Sequence, residues 1–417
     1  MHLWALAVGL VISGEYFGWN LGWDVAGTGG FLIATILVTI FYVTFIFSFT
    51  ELTAAIPHAG GPFAYANKAL GPLGGLIAAY ATLVEFLLAT PAVAFALGSY
   101  VHFLEPSLPV LTVAIGSYVL FTIINFLGIK ESMAFSLIVT ILAIAGLLLF
   151  IGVAAPVFSW NKFNRDSMPF GWGGVFAALP FAIWFYLAIE GVAMVAEEVK
   201  DPQHTIPRGY IYGIVTLVLL AFGVMFFTGG VTDWHTLAKI DYPLPEAIST
   251  VLGKQNGWTK VFAAIGLFGL VAGFHGIIIS YSRQLYAVAR DGYLPKALAR
   301  VSAKHRTPNV AMIVGGIIGI IALWLFNTSD VITLSALGAV VMYIISMVSL
   351  FVLRRKLPGL ERPFKVPLYP WFPGIALVLA IVCLIAIVWY HLFLSVIFFG
   401  ALILLMILFV VFRRQGS

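Results

Sequence analysis

Two carboxylates stand where an apolar chain has least use for them. Glu15 lies in the run Ser13, Gly14, Glu15, Tyr16, Phe17, Gly18, and Glu190 lies in the run Leu187, Ala188, Ile189, Glu190, Gly191. Both runs fall near the middle of apolar stretches about as long as a bilayer's hydrocarbon core requires. Glycine alone would serve close helix packing. An acid at that depth is costly and marks a solute or ion pathway by default, so the two runs are expected to break membrane-spanning helices. The ends of half-helices present free amides and carbonyls, the groups that hold solutes and coupling ions in carriers. Two further titratable groups lie inside other apolar stretches, Glu85 and His275. His275 titrates near neutrality, so a proton relay competes there with the more ordinary reading of a satisfied structural histidine.

Other chemistry is not supported by the residue pattern. Gly60 and Gly61 lack the G-K-[ST] ending of a phosphate loop. The His, Cys and Asp residues show no metal-ligand spacing, and no nucleophile with a base partner stands out. The single cysteine, Cys383, has no partner for a disulfide. The chain is therefore expected not to be an enzyme and to need no cofactor beyond a coupling ion, H+ or Na+.

The elements that must position these groups follow from composition. The 417 residues are 62% hydrophobic and 9% charged, against about 25% charged in soluble domains, and the mean hydropathy is +1.06. In lipid only helices or closed barrels satisfy their own backbone. The alternation of barrel strands is missing, so the fold class is an all-α membrane protein. Twelve spans are expected: Leu3 to Ala26, Phe31 to Ile56, Leu73 to Leu104, Leu108 to Leu127, Ser132 to Ala154, Gly173 to Ala196, Tyr210 to Gly230, Val261 to Tyr286, Val310 to Phe326, Val331 to Leu353, Gly374 to Tyr390 and Leu392 to Phe412. The first begins almost at Met1 with no A-x-A-like cleavage site and reads as a retained span. The two breaks are five spans apart, in the first and the sixth. Residues 1–154 and 173–353 then form two inverted halves of five helices, with a helix pair at 374–413.

With both termini cytoplasmic, all Lys and Arg fall inside except Lys162, Arg165, Lys239, Lys254 and Lys260. That bias selects this orientation over its mirror. The basic face and the net charge of +5 are explained by topology and anionic lipid; a nucleic-acid partner has no support. The longest polar connection, Val231 to Trp258, falls outside and is expected to carry short helices over an entrance.

Several segments resemble the amino acid, polyamine and organocation (APC) family of secondary transporters. They are ELTAAIPHAGGPFAYANKALGPLGG (Glu51 to Gly75), SRQLYAVARDGYLPKALARVSAKHRTP (Ser282 to Pro308) and AEEVKDPQHTIP (Ala196 to Pro207), with weaker matches at NFLGIK (Asn125 to Lys130) and RPFKVP (Arg362 to Pro367). The resemblance covers essentially the whole chain in family order. It implies a LeuT-like five-plus-five inverted repeat with two further C-terminal helices, in an inner or plasma membrane. The run GLVISGEYFGWNLGW (Gly9 to Trp23) looks most like the ethanolamine permease branch, because Ser13, Gly14 and Glu15 replace the Gly-Ser/Thr-Gly type of segment that receives an amino acid's carboxylate.

That departure has a physical reading. A carboxylate brought in by Glu15 would repel a second one from the solute in low dielectric, so the expected solute is a small amine such as ethanolamine. A neutral or cationic amino acid is the alternative, with Glu15 structural. The resemblance also implies roles for other residues. Trp184 closes over the solute and, with Tyr16 and Phe17, forms an aromatic wall. Glu85 faces the solute's distal end. Glu190 at the second break, beside Ala188, serves gating or proton coupling, with His275 a further candidate. Some proton-coupled relatives carry a lysine near the position of Ala143, which this chain lacks. Glu51, Glu197, Glu198 and Asp201 are expected to make salt bridges with Lys or Arg at cytoplasmic helix ends.

Overall fold

The computed structural model describes residues 2–126, 129–254 and 256–415. Leu127 and Gly128, which close the expected fourth span and belong to the NFLGIK segment, lie outside the described residues. The fold is all-α. Among the described residues nine helices are long and apolar enough to cross a membrane, and three shorter apolar helices accompany them. The protein is an integral membrane protein.

In chain order the first helices are α1 (His2–Val11), α2 (Ser13–Tyr16), α3 (Leu21–Ala55), α4 (Pro62–Leu70), α5 (Pro72–Leu104), α6 (Val110–Asn125) and α7 (Ile129–Ala154). Then come α8 (Trp160–Phe163), α9 (Gly171–Ala177), α10 (Leu179–Trp184), a 3-10 helix (Ile189–Glu198), α11 (Pro202–Val231), α12 (Trp234–Leu237) and α13 (Pro243–Leu252). The remainder are α14 (Gly257–Arg290), α15 (Asn309–Leu325), α16 (Thr328–Lys356), α17 (Trp371–Tyr390) and α18 (Leu392–Gln415). Polar or Pro- and Gly-bearing segments punctuate the apolar runs, and several helices carry proline in the first turn, where its missing N–H costs nothing.

One boundary differs from expectation for a physical reason. The first span is broken as expected, but the part after the break does not end at Ala26. That part, beginning at Leu21, joins the next helix through a kink at Gly27, where φ is +68°. A side chain there would meet the backbone oxygens of Asp166 and Ser167 at 2.7 Å, so only glycine fits. The Ser167 carbonyl in turn accepts the N–H groups of Gly29 and Gly30 at 2.7 and 2.9 Å. The sixth stretch is broken as expected, into α9 and α10 before the break and the 3-10 helix after it. The expected short helices of the long polar connection are α12 and α13.

α5, α14 and α16 are the most buried of the long spans besides the broken sixth stretch, whereas α17 and α18 are the least buried. The two breaks are thus enclosed by the inner helices, with the C-terminal pair on the periphery.

Candidate functional site

α1 passes into the single turn of α2 through Ile12, which keeps right-handed helical angles, and the chain leaves the helix at Phe17, fully extended with φ −162° and ψ 171°. Gly18 follows at φ +88°, and its N–H donates to Asn20 Oδ1 at 3.0 Å. The Asn20 amide donates onward to the carbonyls of Leu237 and Ile240 at 2.6 and 2.8 Å. That side chain fastens the part of the first span after the break to the end of α12 and the loop that follows it. The second break centres on Ala188, which holds φ +78°. A left-handed non-glycine residue costs roughly 1–2 kcal/mol, a strain kept where surrounding structure over-determines it.

The breaks lie against each other. Trp184 Nε1 donates to the Phe17 carbonyl at 3.0 Å, and the two rings meet edge to face at 5.5 Å. An added Cβ on Gly14 would sit 2.5 Å from the Trp184 carbonyl oxygen, so glycine is what lets the two backbones touch. Between them remains a cavity of about 10 Å³ lined by Leu10, Val11, Ser13, Gly14, Trp184, Leu187 and Ile277. That is about the space one water requires, so a solute fits only when the breaks separate.

Of the expected site residues, Ser13, Gly14 and Trp184 line this space, and Phe17 packs on Trp184. Ala188 and the three acids do not line it. Glu15 is fully buried; its carbonyl accepts Trp19 Nε1 at 3.1 Å, while both carboxyl oxygens lack a hydrogen-bond partner. Tyr186 stands within electrostatic range of that carboxyl and shares a 2.7 Å hydrogen bond with Thr39. Tyr16 turns the other way. Its hydroxyl donates to the Ala143 carbonyl at 2.7 Å, and its ring occupies the space left by Gly266 and Gly269. The position of the missing lysine is therefore spanned by a tyrosine hydroxyl.

Glu85 and Glu190 form a second centre. Both are fully buried and their carboxyls interact, joining α5 to the second break. Tyr343 of α16 donates to Glu190 Oε2 at 3.1 Å and shares a 2.9 Å hydrogen bond with Tyr42 of α3. Tyr210 donates to the Glu190 carbonyl at 3.1 Å, and Ser335 to the Glu85 carbonyl at 2.6 Å. Beyond each other and the nearby Ala188 backbone, both Glu85 oxygens and Glu190 Oε1 find no further donor. His275 is elsewhere: its Nδ1 lies 3.0 Å from Asn125 Nδ2, facing α6. Tyr42, Tyr343, Tyr186 and Asn20 were not singled out by the sequence, where hydroxylated aromatics in apolar helices look like any others.

The end of the bundle opposite Asn20 is closed by ion pairs. Arg290 grips Glu197 at 2.8 and 2.9 Å, and Glu197 Oε1 accepts the Ala59 N–H at 2.9 Å. Arg283 Nε meets Glu198 at 2.6 Å. His58 Nε2 accepts from Arg290 at 2.9 Å, and burial holds the His58 ring below the ordinary histidine range, favouring this neutral acceptor. Glu51, 1% exposed, binds Arg354 through both oxygens at 2.8 and 2.5 Å, Arg362 at 3.2 Å and the Val366 N–H at 2.8 Å. Glu51, Glu197 and Glu198 thus make the expected bridges. Asp201 does not: it pairs at 3.2 Å with His204, one turn along α11, because the first turn of that helix brings the two side chains together. Among the described residues no three His, Cys, Asp or Glu side chains gather in metal-binding array.

Two broken helices meeting at a small site, sealed toward both ends, define a secondary carrier rather than a channel. The chain belongs to the amino acid permease family, whose model matches residues 2–412. It is 30% identical over 400 residues to an uncharacterized transporter of Rhizobium meliloti, covering 92% of this chain and 84% of that one. It is 28% identical to the branched-chain amino acid permease BcaP of Bacillus subtilis, with 92% and 86% covered. It is 26% identical to the methylthioribose transporter of Bacillus subtilis, with 89% and 84% covered. The protein is a secondary-active permease for amino acids or similar small solutes, and not an enzyme.

Proposed function

We propose that this chain imports an amino acid with a neutral side chain by alternating access. The observation that carries the proposal is the lining of the space between the breaks. Ser13 and Gly14 line it where α1 passes into α2, and the Ser13 hydroxyl is a donor suited to a carboxylate. Leu10, Val11, Leu187 and Ile277 with Trp184 offer an apolar cradle for the side chain. Glu15 is not among the residues that line that space, so its carboxyl need not meet the solute's own carboxylate. The name of the Bacillus subtilis branched-chain permease agrees with this chemistry.

In this reading helices up to residue 154 and from 173 to 353 act as inverted halves, 374–413 forms a peripheral pair, and both termini are cytoplasmic. Asn20 belongs to the outer closure and Arg283 and Arg290 to the inner one. Glu190 with Glu85 takes up the coupling ion, H+ or Na+.

A small amine such as ethanolamine is the second reading. It is favoured by Glu15, a fully buried acid whose oxygens have no hydrogen-bond partner, a place an ammonium would satisfy. Competition in proteoliposomes separates the two. Excess leucine and excess ethanolamine are set against labelled leucine, then against labelled ethanolamine, for the wild type and Glu15→Gln. The proposal expects leucine to compete and the variant to keep its apparent leucine affinity within about threefold, under 1 kcal/mol. Saturable ethanolamine uptake, lost in Glu15→Gln and indifferent to leucine, establishes the second reading instead.

A further inference from the structure

One outward-facing concavity is unrelated to the breaks. It is a groove of about 850 Å³ between α3, the end of α16 and the start of α17, walled by Ile36, Ile40, Phe351, Trp371, Ile375 and Val378 with other apolar neighbours. Its rim is open: Ile36, Ile40 and Val378 are 45%, 49% and 60% exposed, and a Cβ on Gly374 would meet nothing within 4 Å. In a bilayer such a groove faces hydrocarbon chains.

One end of the groove carries charge. Phe351 and Arg355 are four residues apart on α16 and share a face. Arg355 is exposed and follows Arg354, which lies over the Tyr369 ring at 3.8 Å and is consumed by Glu51. Lys365 is exposed beside Phe364, whose ring lies 6.5 Å from that of Phe47, and Phe47 meets Phe372 at the start of α17 at 5.8 Å. Arg362 is also held by Glu51, and Glu361 is the one further acid in the connecting segment. Arg355 and Lys365 are thus exposed cations near this end of the groove that no ion pair claims among the described residues, and Trp371 of its wall is 71% exposed, an indole of the kind that settles among headgroups.

We propose that this groove is a binding site for an anionic phospholipid, with acyl chain along Ile36, Ile40 and Val378 and headgroup phosphate at Arg355 and Lys365. The walls of the groove are the helices that carry Tyr42, Tyr343 and the Glu51 latch. An occupant there braces α17 against the parts that must move when the breaks separate, so transport rate depends on the lipid.

The probe is phosphatidylglycerol against phosphatidylcholine. Native mass spectrometry of the full chain from mixed micelles reads which lipid is retained, and leucine uptake is measured in vesicles of phosphatidylcholine with and without phosphatidylglycerol. The wild type is expected to retain phosphatidylglycerol and to transport faster in its presence. Arg355→Gln should weaken the preference about fivefold, the worth of one basic residue at an anionic surface, while still retaining lipid. Val378→Trp, a change on an exposed face, should fill the groove and abolish retention and rate dependence together. Equal retention of both lipids by the wild type, an unchanged preference in Arg355→Gln, or a second copy of the chain covering the groove in cross-linking overturns the proposal.

Discussion

Replacing Gly14 by alanine adds one methyl where the two breaks touch. The new Cβ would sit 2.5 Å from the Trp184 carbonyl oxygen and 3.5 Å from its ring, and the backbone oxygen cannot swing aside as a flexible side chain would. Overpacking of this kind costs about 1–3 kcal/mol. It falls on the closed arrangement, in which Trp184 also donates to the Phe17 carbonyl at 3.0 Å, and not on arrangements with the breaks apart. At 1.4 kcal/mol per tenfold the closed state should lose about 5- to 150-fold in population. Maximal uptake in proteoliposomes should fall within that range while the protein still folds and inserts. Gly116→Ala is the control, since a Cβ there meets nothing within 4 Å, and it should leave uptake unchanged. If Gly14→Ala transports within twofold of wild type, contact between the breaks is not part of the cycle and the reasoning fails.

Two other outcomes are expected. Glu51→Gln leaves Arg354 and Arg362 without their buried acid, a loss of about 3–5 kcal/mol; the melting temperature should drop clearly, whereas Asp201→Asn, which touches only exposed His204, should not move it. Burial pushes the Asp241 carboxyl up from 3.8 to about 6, partly offset by the Thr328 hydroxyl at 2.8 Å. The folded chain therefore holds a proton that the unfolded chain releases between those values, and stability declines as pH rises through that window. Asp241→Asn should remove this slope and raise the melting temperature at pH 7.5 by the equivalent of at most about 3 kcal/mol, with no gain at pH 4; a gain at both values contradicts the assignment.

Much of this architecture is legible in the chain because lipid leaves few choices. A residue string this apolar has to fold as helices, and a glycine beside an acid at mid-depth has few uses besides a break. The family motifs then carried the resemblance along the whole length. Side-chain direction at the breaks was not legible. In a continuous helix each residue advances by a fixed angle, but the extended Phe17 and left-handed Ala188 end that periodicity. Glu15, despite its neighbours Ser13 and Gly14, stays out of the lining of the space between the breaks. The Tyr42, Tyr343 and Glu190 chain was hidden for another reason: its members lie on three separate spans, and only packing brings them to 3 Å. The Asp201 pairing depended on a helix start some eight residues earlier than the apolar pattern indicated, at Pro202.

Counterflow tests the central claim most directly. Vesicles containing the purified chain are loaded with unlabelled leucine, diluted into trace labelled leucine, and followed for transient accumulation. The account predicts accumulation that collapses when ethanolamine replaces leucine as the internal load and weakens about 5- to 150-fold in Gly14→Ala. Accumulation driven by internal ethanolamine but not by leucine would contradict it.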